Sequence, residues 1–207
     1  MKTTGLHVIV DNHLTPERSL LEIARAAIRG EALNLQLRAK DLDDAEFKKI
    51  AAAIRKETLH IGVNLILNDR LEIALEIKAD GVHLGPNDAP IAEARKILGP
   101  QAIIGATAHG VEEALAAERA GASYVGLGPI FKTNSKEAPA EPIGLGALRD
   151  AKARLGIPVI AIGGINRENI SEVVEAGADG AALLSAITLA KDMIVEARFF
   201  QNIFSEM

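Results

Sequence analysis

Ala120-Gly121-Ala122-Ser123-Tyr124-Val125-Gly126-Leu127-Gly128-Pro129-Ile130-Phe131-Lys132-Thr133-Asn134-Ser135-Lys136 reads as three signals in succession. Ala120-Gly121 closes a helix, and the apolar run Ala122 to Leu127 suits a buried strand. A loop with two glycines, two hydroxyls and two lysines begins at the strand's C-terminal end. Glycine lets backbone approach a ligand closely, and hydroxyls and lysines donate to phosphate oxygens. The same residues could make an ordinary solvated loop. The stretch alone does not separate the two, but it defines a repeating unit of helix stop, buried strand and loop.

That unit recurs in both directions. Leu6 to Val10 is a short apolar run, and Thr15-Pro16 supplies an N-cap with proline at the first helical position, followed by an apolar face from Leu20 to Ile28 that stops at Gly30. Strands are predicted over 32–37, 61–67 and 81–84, with helical faces on Phe47 to Ile54, Leu71 to Ile77 and Ile91 to Ile97. Beyond them come strands over 102–106, 122–127, 158–162 and 180–184, and helices over 111–120 and 145–153. Asn166 is placed to cap the helix carrying Ile170, Val173 and Val174, and a last helix carries Met193 to Phe204. Eight strand–helix units with near-continuous apolar strands predict a single (β/α)8 TIM barrel, an α/β fold, over residues 1–207. A doubly wound open sheet is the topological alternative. Lys78-Ala79-Asp80-Gly81, Ala120-Gly121-Ala122-Ser123 and Ala176-Gly177-Ala178-Asp179 echo one another before three strands. They belong to the bottom of a barrel, so Asp80 and Asp179 read as structural.

Composition narrows the function classes. A hydrophobic content of 48% supports a sizeable core, and with 3% aromatics and no Trp that core is expected to be aliphatic inside the barrel as well as outside. A net charge of -5 offers no basic face for nucleic acid or an acidic membrane. No cysteine means no disulfide and no thiolate metal site, so a metal would need oxygen or imidazole ligands. Neither a signal-peptide core nor an apolar run of about 18 residues is present, and the expected location is cytoplasmic. Oligomeric state is left open, with a homo-oligomer compatible.

Chemistry is expected at the other ends of the strands. After strand two, alternation puts Gln36, Arg38 and Lys40 on one side, where unpaired charge is costly and an anionic ligand would balance it. After strands three and four come Asn68-Asp69 and Asn87-Asp88, read either as helix caps or as a hard-cation site in which two carboxylates share Mg2+ with substrate phosphates. Thr107 and His109 follow strand five; His83 within strand four reads as packed, and His13 and His60 are given no role. Gly163-Gly164 and Leu184-Ser185 follow strands seven and eight, the usual phosphate cradle of such barrels. Two anion sites and a cation in one mouth suggest two phosphorylated substrates.

Taken together, Gln36-Leu37-Arg38-Ala39-Lys40, Asn68-Asp69, Ala79-Asp80-Gly81-Val82-His83-Leu84-Gly85 with Asp88, Gly128-Pro129-Ile130-Phe131 with Thr133, Ser135 and Lys136, and Ile162-Gly163-Gly164-Ile165 resemble the thiamine-phosphate synthases nearly end to end. The resemblance implies a Mg2+-dependent transferase that joins 4-amino-2-methyl-5-hydroxymethylpyrimidine diphosphate to hydroxyethylthiazole phosphate and releases diphosphate. It implies that Gln36, Arg38, Lys40, Asn68 and Lys136 hold the pyrimidine diphosphate with Thr107. Asp69 and Asp88 would ligate Mg2+, and Thr133, Ser135, Gly164, Leu184 and Ser185 would contact the thiazole phosphate. Arg38, Lys40, Lys136 and His109 are the residues expected to act in the chemistry, and Lys132 to face solvent. Three positions depart from the family pattern: Thr107 stands for Ser, Ser135 for Thr, and His7 for a Tyr near the pyrimidine. The sister family of thiazole tautomerases shares the barrel and uses a His at the position of His109 as a proton shuttle on a carboxythiazole phosphate. A non-catalytic barrel that binds thiazole or thiamine phosphate is the third reading. Arg38, Lys40, Asp69, Asp88 and Lys136 discriminate, since a tautomerase has no diphosphate to release.

Overall fold

The computed structural model describes residues 3–133, 135 and 141–205. Along the chain run β1 (Gly5–Val10), α1 (Leu20–Arg29), β2 (Asn34–Leu37), α2 (Asp44–Thr58), β3 (Asn64–Asn68), α3 (Leu71–Glu76), β4 (Gly81–Leu84) and α4 (Ile91–Leu98). The second half has β5 (Ile103–Ala108), α5 (Val111–Arg119), β6 (Tyr124–Leu127), α6 (Gly144–Arg154), β7 (Val159–Ile162), α7 (Ile170–Glu175), β8 (Gly180–Leu183), the short α8 (Ser185–Thr188) and α9 (Met193–Ser205). The parallel strands close in chain order, and β1 pairs with β8 from Gly5↔Gly180 to Val8↔Leu183. That last pairing makes the sheet a (β/α)8 barrel and excludes the open doubly wound sheet. No described helix is long and apolar enough to cross a membrane.

Strand alternation divides the core in two. Outward residues such as Leu6, Val8, Leu65, Leu67, Val82 and Ile104 are fully buried beneath the helices. Inside the barrel, Ile9, Ile66, Ile103, Tyr124, Ile160 and Ala182 make one apolar layer. Contrary to the aliphatic filling expected from composition, the interior below and above that layer is polar. Asn64 Nδ2 donates to Asn34 Oδ1 at 2.8 Å, Asn34 Nδ2 donates to the Thr4 carbonyl at 3.3 Å, and His7 Nε2 donates to the Thr3 carbonyl at 2.7 Å. The carbonyls of Thr3 and Thr4 thus satisfy side chains that would otherwise be costly to bury.

Two helix starts differ from expectation. α1 begins at Leu20, because Ser19 and Glu22 form a reciprocal capping box, with Glu22 N donating to Ser19 Oγ at 3.2 Å and Ser19 N to Glu22 Oε2 at 2.8 Å. Thr15-Pro16 instead opens a turn in which Arg18 N donates to the Thr15 carbonyl at 2.9 Å. Asn166 likewise lies one turn early. Its side chain accepts from Glu168 N at 2.8 Å, and α7 starts at Ile170 after Asn169.

The three echoed turns form the bottom of the barrel and share one device. Asp80, just before β4, accepts Leu65 N of β3 at 2.8 Å and pairs with Arg55 at 2.8 Å, while its backbone carbonyl accepts Ile103 N of β5 at 2.9 Å. Asp179, before β8, accepts Val159 N of β7 at 2.8 Å and pairs with Lys152 at 2.7 Å, and its carbonyl accepts Gly5 N of β1 at 2.8 Å. Ser123, before β6, accepts Ile104 N of β5 at 3.0 Å. Each residue clasps the first or second amide of the preceding strand. The structural reading of Asp80 and Asp179 agrees with this geometry.

Candidate active site

The mouth at the strands' C-terminal ends contains four connected spaces. The deepest, about 130 Å3, lies inside the barrel and is lined by His7, Gln36, His83, Thr107, Tyr124 and Ile160 among others. A niche of about 70 Å3 beside it is lined by Arg38, Thr133, Ser135, Leu184 and Ser185. It borders an outer recess with Gly164 and Lys132, and a wide cleft of about 690 Å3 with Asp11, His13, Arg38, Lys40 and Asn87.

The deep space is floored by a polar relay. His83 Nδ1 lies 2.9 Å from the Tyr124 hydroxyl and its Nε2 2.9 Å from Thr107 Oγ1, and Gln36 also hydrogen-bonds Tyr124. Burial raises the pKa of the Tyr124 phenol, which therefore keeps its proton, and that proton is available to His83. His83 is packed as expected, and it also holds Thr107. His7 is fully buried, and burial pulls its pKa down to about 4, against a smaller raising effect from the Thr3 carbonyl. Its Nε2 must carry the proton given to Thr3, so Nδ1 is a buried lone pair without a hydrogen-bond partner among the described residues.

Gln36, Arg38 and Lys40 share the mouth as alternation requires, with Gln36 buried, Arg38 half-buried and Lys40 exposed. Arg38 is ion-paired with Asp11, which ends the loop side of β1. Asn68 Nδ2 donates to the His83 carbonyl at 3.3 Å, tying the end of β3 to β4.

Neither Asp69 nor Asp88 caps its helix: the capping positions are Arg70 and Pro90, and neither makes a side-chain cap hydrogen bond. Asp69 is held at φ 58, a left-handed conformation that Asp tolerates better than most residues. Burial raises its carboxyl's pKa; Arg70 opposes this, Asp88 adds to it, and Lys40 and Arg38 oppose it. Asp88 Oδ2 accepts Gly85 N at 2.6 Å, fixing the loop after β4. Two adjoining carboxylates fit a divalent cation held jointly with phosphate oxygens and water. Among the described residues, no three His, Cys, Asp or Glu side chains form a metal cage by themselves.

His109 is not a cap either. Its Nδ1 donates to the Gly128 carbonyl at 2.9 Å while its backbone N donates to Glu113 at 2.7 Å, and its ring borders the deep space. Thr133, Ser135 and Ser185 form a hydroxyl cluster, with Thr133 Oγ1 and Ser185 Oγ each 3.3 Å from Ser135 Oγ. Lys132 is exposed, as expected. Lys136 and Asn134 lie outside the described residues.

Gly126 within β6 and Gly128 just after it both border the deep space. A Cβ on Gly128 would sit 2.1 Å from the Ile162 carbonyl oxygen, and one on Gly126 3.1 Å from His83 Cε1. They therefore also permit close packing of protein on protein. Ile130 N and Phe131 N donate to the Ile162 and Gly163 carbonyls at 2.9 and 3.0 Å, joining the loop after β6 to the loop after β7. Gly164, at φ 69, meets the same loop: a Cβ there would lie 2.5 Å from the Lys132 carbonyl oxygen.

Asp11, Tyr124 and His13 were not singled out by sequence. Asp11 follows directly on a strand, the same signal that marked Arg38 and Asp69. Tyr124 occupies an inward position on β6. No sequence signal points to His13, whose ring reaches Ser135 across 122 residues.

A parallel barrel whose mouth gathers cations, paired carboxylates and a hydroxyl cluster belongs to the class of (β/α)8 proteins that handle phosphorylated small molecules. Comparison with known proteins narrows the class. The family model described as thiamine monophosphate synthase matches residues 6–187. The chain is 44% identical over 198 residues to the thiamine-phosphate synthase of Clostridium novyi, covering 96% of this chain and 97% of that protein. It is 43% identical to that of Moorella thermoacetica, covering 98% and 97%. The solved thiamine phosphate pyrophosphorylase of Pyrococcus furiosus superposes with a TM-score of 0.89 at 40% identity, covering 98% of this chain and 96% of that one. The chain belongs to the thiamine monophosphate synthase family.

Proposed function

We propose that this chain condenses 4-amino-2-methyl-5-hydroxymethylpyrimidine diphosphate with hydroxyethylthiazole phosphate, giving thiamine phosphate and diphosphate. The observation that carries this reading is the joint presence of two anion-binding regions in one mouth, the Arg38–Lys40 cleft and the Thr133–Ser135–Ser185 niche, on either side of a deep ring-sized space. The pyrimidine enters the deep space between the ring edges of His7 and Tyr124 and the side chains of Ile160 and Ala182. There Thr107, held by His83, contributes a hydroxyl. The diphosphate lies against Arg38 and Lys40 with Asn68, and with Lys136, whose position is outside the described residues. The thiazole phosphate occupies the hydroxyl niche beside Gly164, Leu184 and Ser185.

The carbon–oxygen bond to diphosphate breaks with both electrons leaving on oxygen. The resulting methylene cation is stabilised by the ring amino group, and the thiazole nitrogen lone pair then forms the new carbon–nitrogen bond. Arg38 and Lys40 stabilise charge as it builds on the leaving group, and the barrel walls orient the two rings and keep away the water that would otherwise capture the cation. Asp69 and Asp88 are the residues that would hold Mg2+, which would supply further charge neutralisation at the diphosphate. No step requires a protein nucleophile. His109, whose Nδ1–H is engaged by Gly128, borders the site as a positioning group.

Mixing purified protein with both substrates, with and without Mg2+, tests the reading. Diphosphate release dependent on the metal and on the thiazole is expected; no release with metal present would overturn it, and proton exchange on a carboxythiazole phosphate instead would identify a tautomerase.

A further inference from the structure

Arg38 is the one charged side chain on the described lining of the hydroxyl niche, whose other walls are apolar, glycine or hydroxyl-bearing, Ile9, Ala182, Leu184 and Ser185 among them. The same side chain borders the wide cleft that contains Lys40. One guanidinium therefore stands at the boundary of both anion regions. Its Nη1 is committed to Asp11 Oδ2, which leaves Nε and Nη2 as donors for other partners. Asp11 is itself fixed, with its side chain 4% exposed and its Oδ1 accepting the backbone N of His13 at 2.9 Å. We propose that Arg38 serves both substrates, taking the phosphate of the second substrate at the niche as well as the diphosphate in the cleft, and that Asp11 is the positioning residue that holds it between the two.

A phosphate needs a cation most where water is scarce. The niche is small, about 70 Å3, and its hydroxyls donate hydrogen bonds without supplying charge. Among the described cations of the mouth, Lys40 borders the cleft and Lys132 the outer recess, and neither is on the niche wall. A planar guanidinium presents donors along separate edges, so one edge stays with Asp11 while others meet an anion on either side; a lysine's point charge has no such division. A cation between two bound anions also lowers their mutual repulsion. The Asp11 carboxylate acts in two opposed ways. As a charge it repels both anions and weakens their binding. As an anchor it strengthens binding, because a guanidinium already ordered loses less freedom when the anion arrives. Its burial and its bond to His13 N make it an anchor, since a carboxylate so held is not a mobile counter-ion.

A role for Arg38 toward the second substrate rests on the proposed seat of the thiazole phosphate; its place on the niche wall does not. Calorimetry with hydroxyethylthiazole phosphate alone, without the pyrimidine or Mg2+, reads the niche. Arg38→Gln should bind it about tenfold or more weakly than the wild type, the size of one charge-assisted hydrogen bond, while unphosphorylated hydroxyethylthiazole binds both alike. Equal affinity of the two proteins for the thiazole phosphate would confine Arg38 to the cleft and overturn the proposal, as would equal losses with and without the phosphate. If the wild type itself does not bind the thiazole phosphate, the proposed seat fails and inorganic phosphate becomes the probe. Ser185→Ala then marks the niche, and its loss of phosphate affinity should be smaller in the Arg38→Gln background than in the wild type, because contacts to one anion couple. No effect of Ser185→Ala, or the same effect in both backgrounds, would sink the shared site whatever reaction the protein performs. The sign of the change tests Asp11. Asp11→Ala should weaken both the thiazole phosphate and diphosphate, and Asp11→Asn, which keeps an oxygen for His13 N and Arg38, should recover most of the affinity. Tighter binding of both anions in these variants would make Asp11 a counter-charge and not an anchor. If Asp11→Ala does not fold, Asp11→Asn decides alone, since an anchor predicts near-wild-type affinity and a counter-charge predicts tighter binding.

Discussion

His7 shows how far a single residue can be read from its surroundings. Sequence marked it as a departure, a His where a Tyr is expected, without saying what the change does. In the barrel its Nε2–H is spent on Thr3 and its Nδ1 is sealed from water beside Tyr124, with ring centroids 4.9 Å apart. Burial brings its pKa from 6.5 down to about 4. The folded protein therefore resists a proton that the unfolded chain accepts, so stability is full above about pH 6.5 and falls as the pH drops towards 4, by about 3 kcal/mol at most. Asp11 has a lowered pKa, so its contribution is present above the ordinary carboxylate value and lost only as the pH falls through the lower, folded one, a more acidic window. In denaturant unfolding at matched pH the wild type should lose stability relative to His7→Phe as pH falls from about 6.5 to 4; a pH-independent difference would mean that His7 is not buried neutral. Arg38, Asp69 and Thr107 were legible because they end strands, where alternation and barrel closure dictate the side they face. Asp11 has the same placement and was equally readable. His13 was not, because Asp11 and Ser135, the acceptors at its ring, come together only in the folded chain.

At the level of elements, the barrel's bottom and top were legible to different degrees. The repeated Ala-Gly-Ala-Asp type of turn was read as a helix stop, and the aspartates as structural. The fold adds the reason for their acidity: before β4 and β8 a carboxylate holds one of the first two amides of the neighbouring strand and a cation from a helix. Ser123 does the same before β6 with a hydroxyl. Helix starts were less legible, since Thr15-Pro16 and Ser19-x-x-Glu22 are both good N-terminal signals and the reciprocal box prevails by satisfying two donors. The packing of Gly126 and Gly128 against neighbouring strands was not legible, because contact between strands and loops far apart in sequence has no signature in one segment. The clasp makes a separable prediction. Asp179→Ala leaves the amide of the fully buried Val159 without its acceptor and Lys152 without its partner. Stability should fall by about 1–3 kcal/mol while KM for both substrates stays within about a factor of two, because the clasp lies at the opposite end of β8 from the mouth. Thermal melts beside steady-state kinetics check it, and a matching loss in KM would show that the two ends of the barrel are coupled.

Across the whole molecule, the barrel's bottom is closed by paired groups, whereas the mouth brings like charges together. Asp69 is the clearest of these. Burial raises its carboxyl's pKa and the neighbouring Asp88 raises it further, so at neutral pH its charge costs the folded state stability. Replacing it with Asn should leave Tm unchanged or higher, whereas loss of a helix cap would lower stability by about 0.5–2 kcal/mol. On the proposed role of Asp69 and Asp88, a cation bound together with a phosphorylated ligand would offset that cost. Mg2+ with diphosphate should therefore raise the wild-type Tm, with about 2.7 kcal/mol of stabilisation at a hundredfold excess over Kd, and either one alone should raise it less. In Asp69→Asn and Asp88→Asn that joint increment should disappear, while stabilisation by hydroxyethylthiazole phosphate alone persists at the hydroxyl niche. If both variants instead keep the Mg2+–diphosphate increment in calorimetry, the two carboxylates are not the cation's ligands, and the opposed charges at the mouth need another partner.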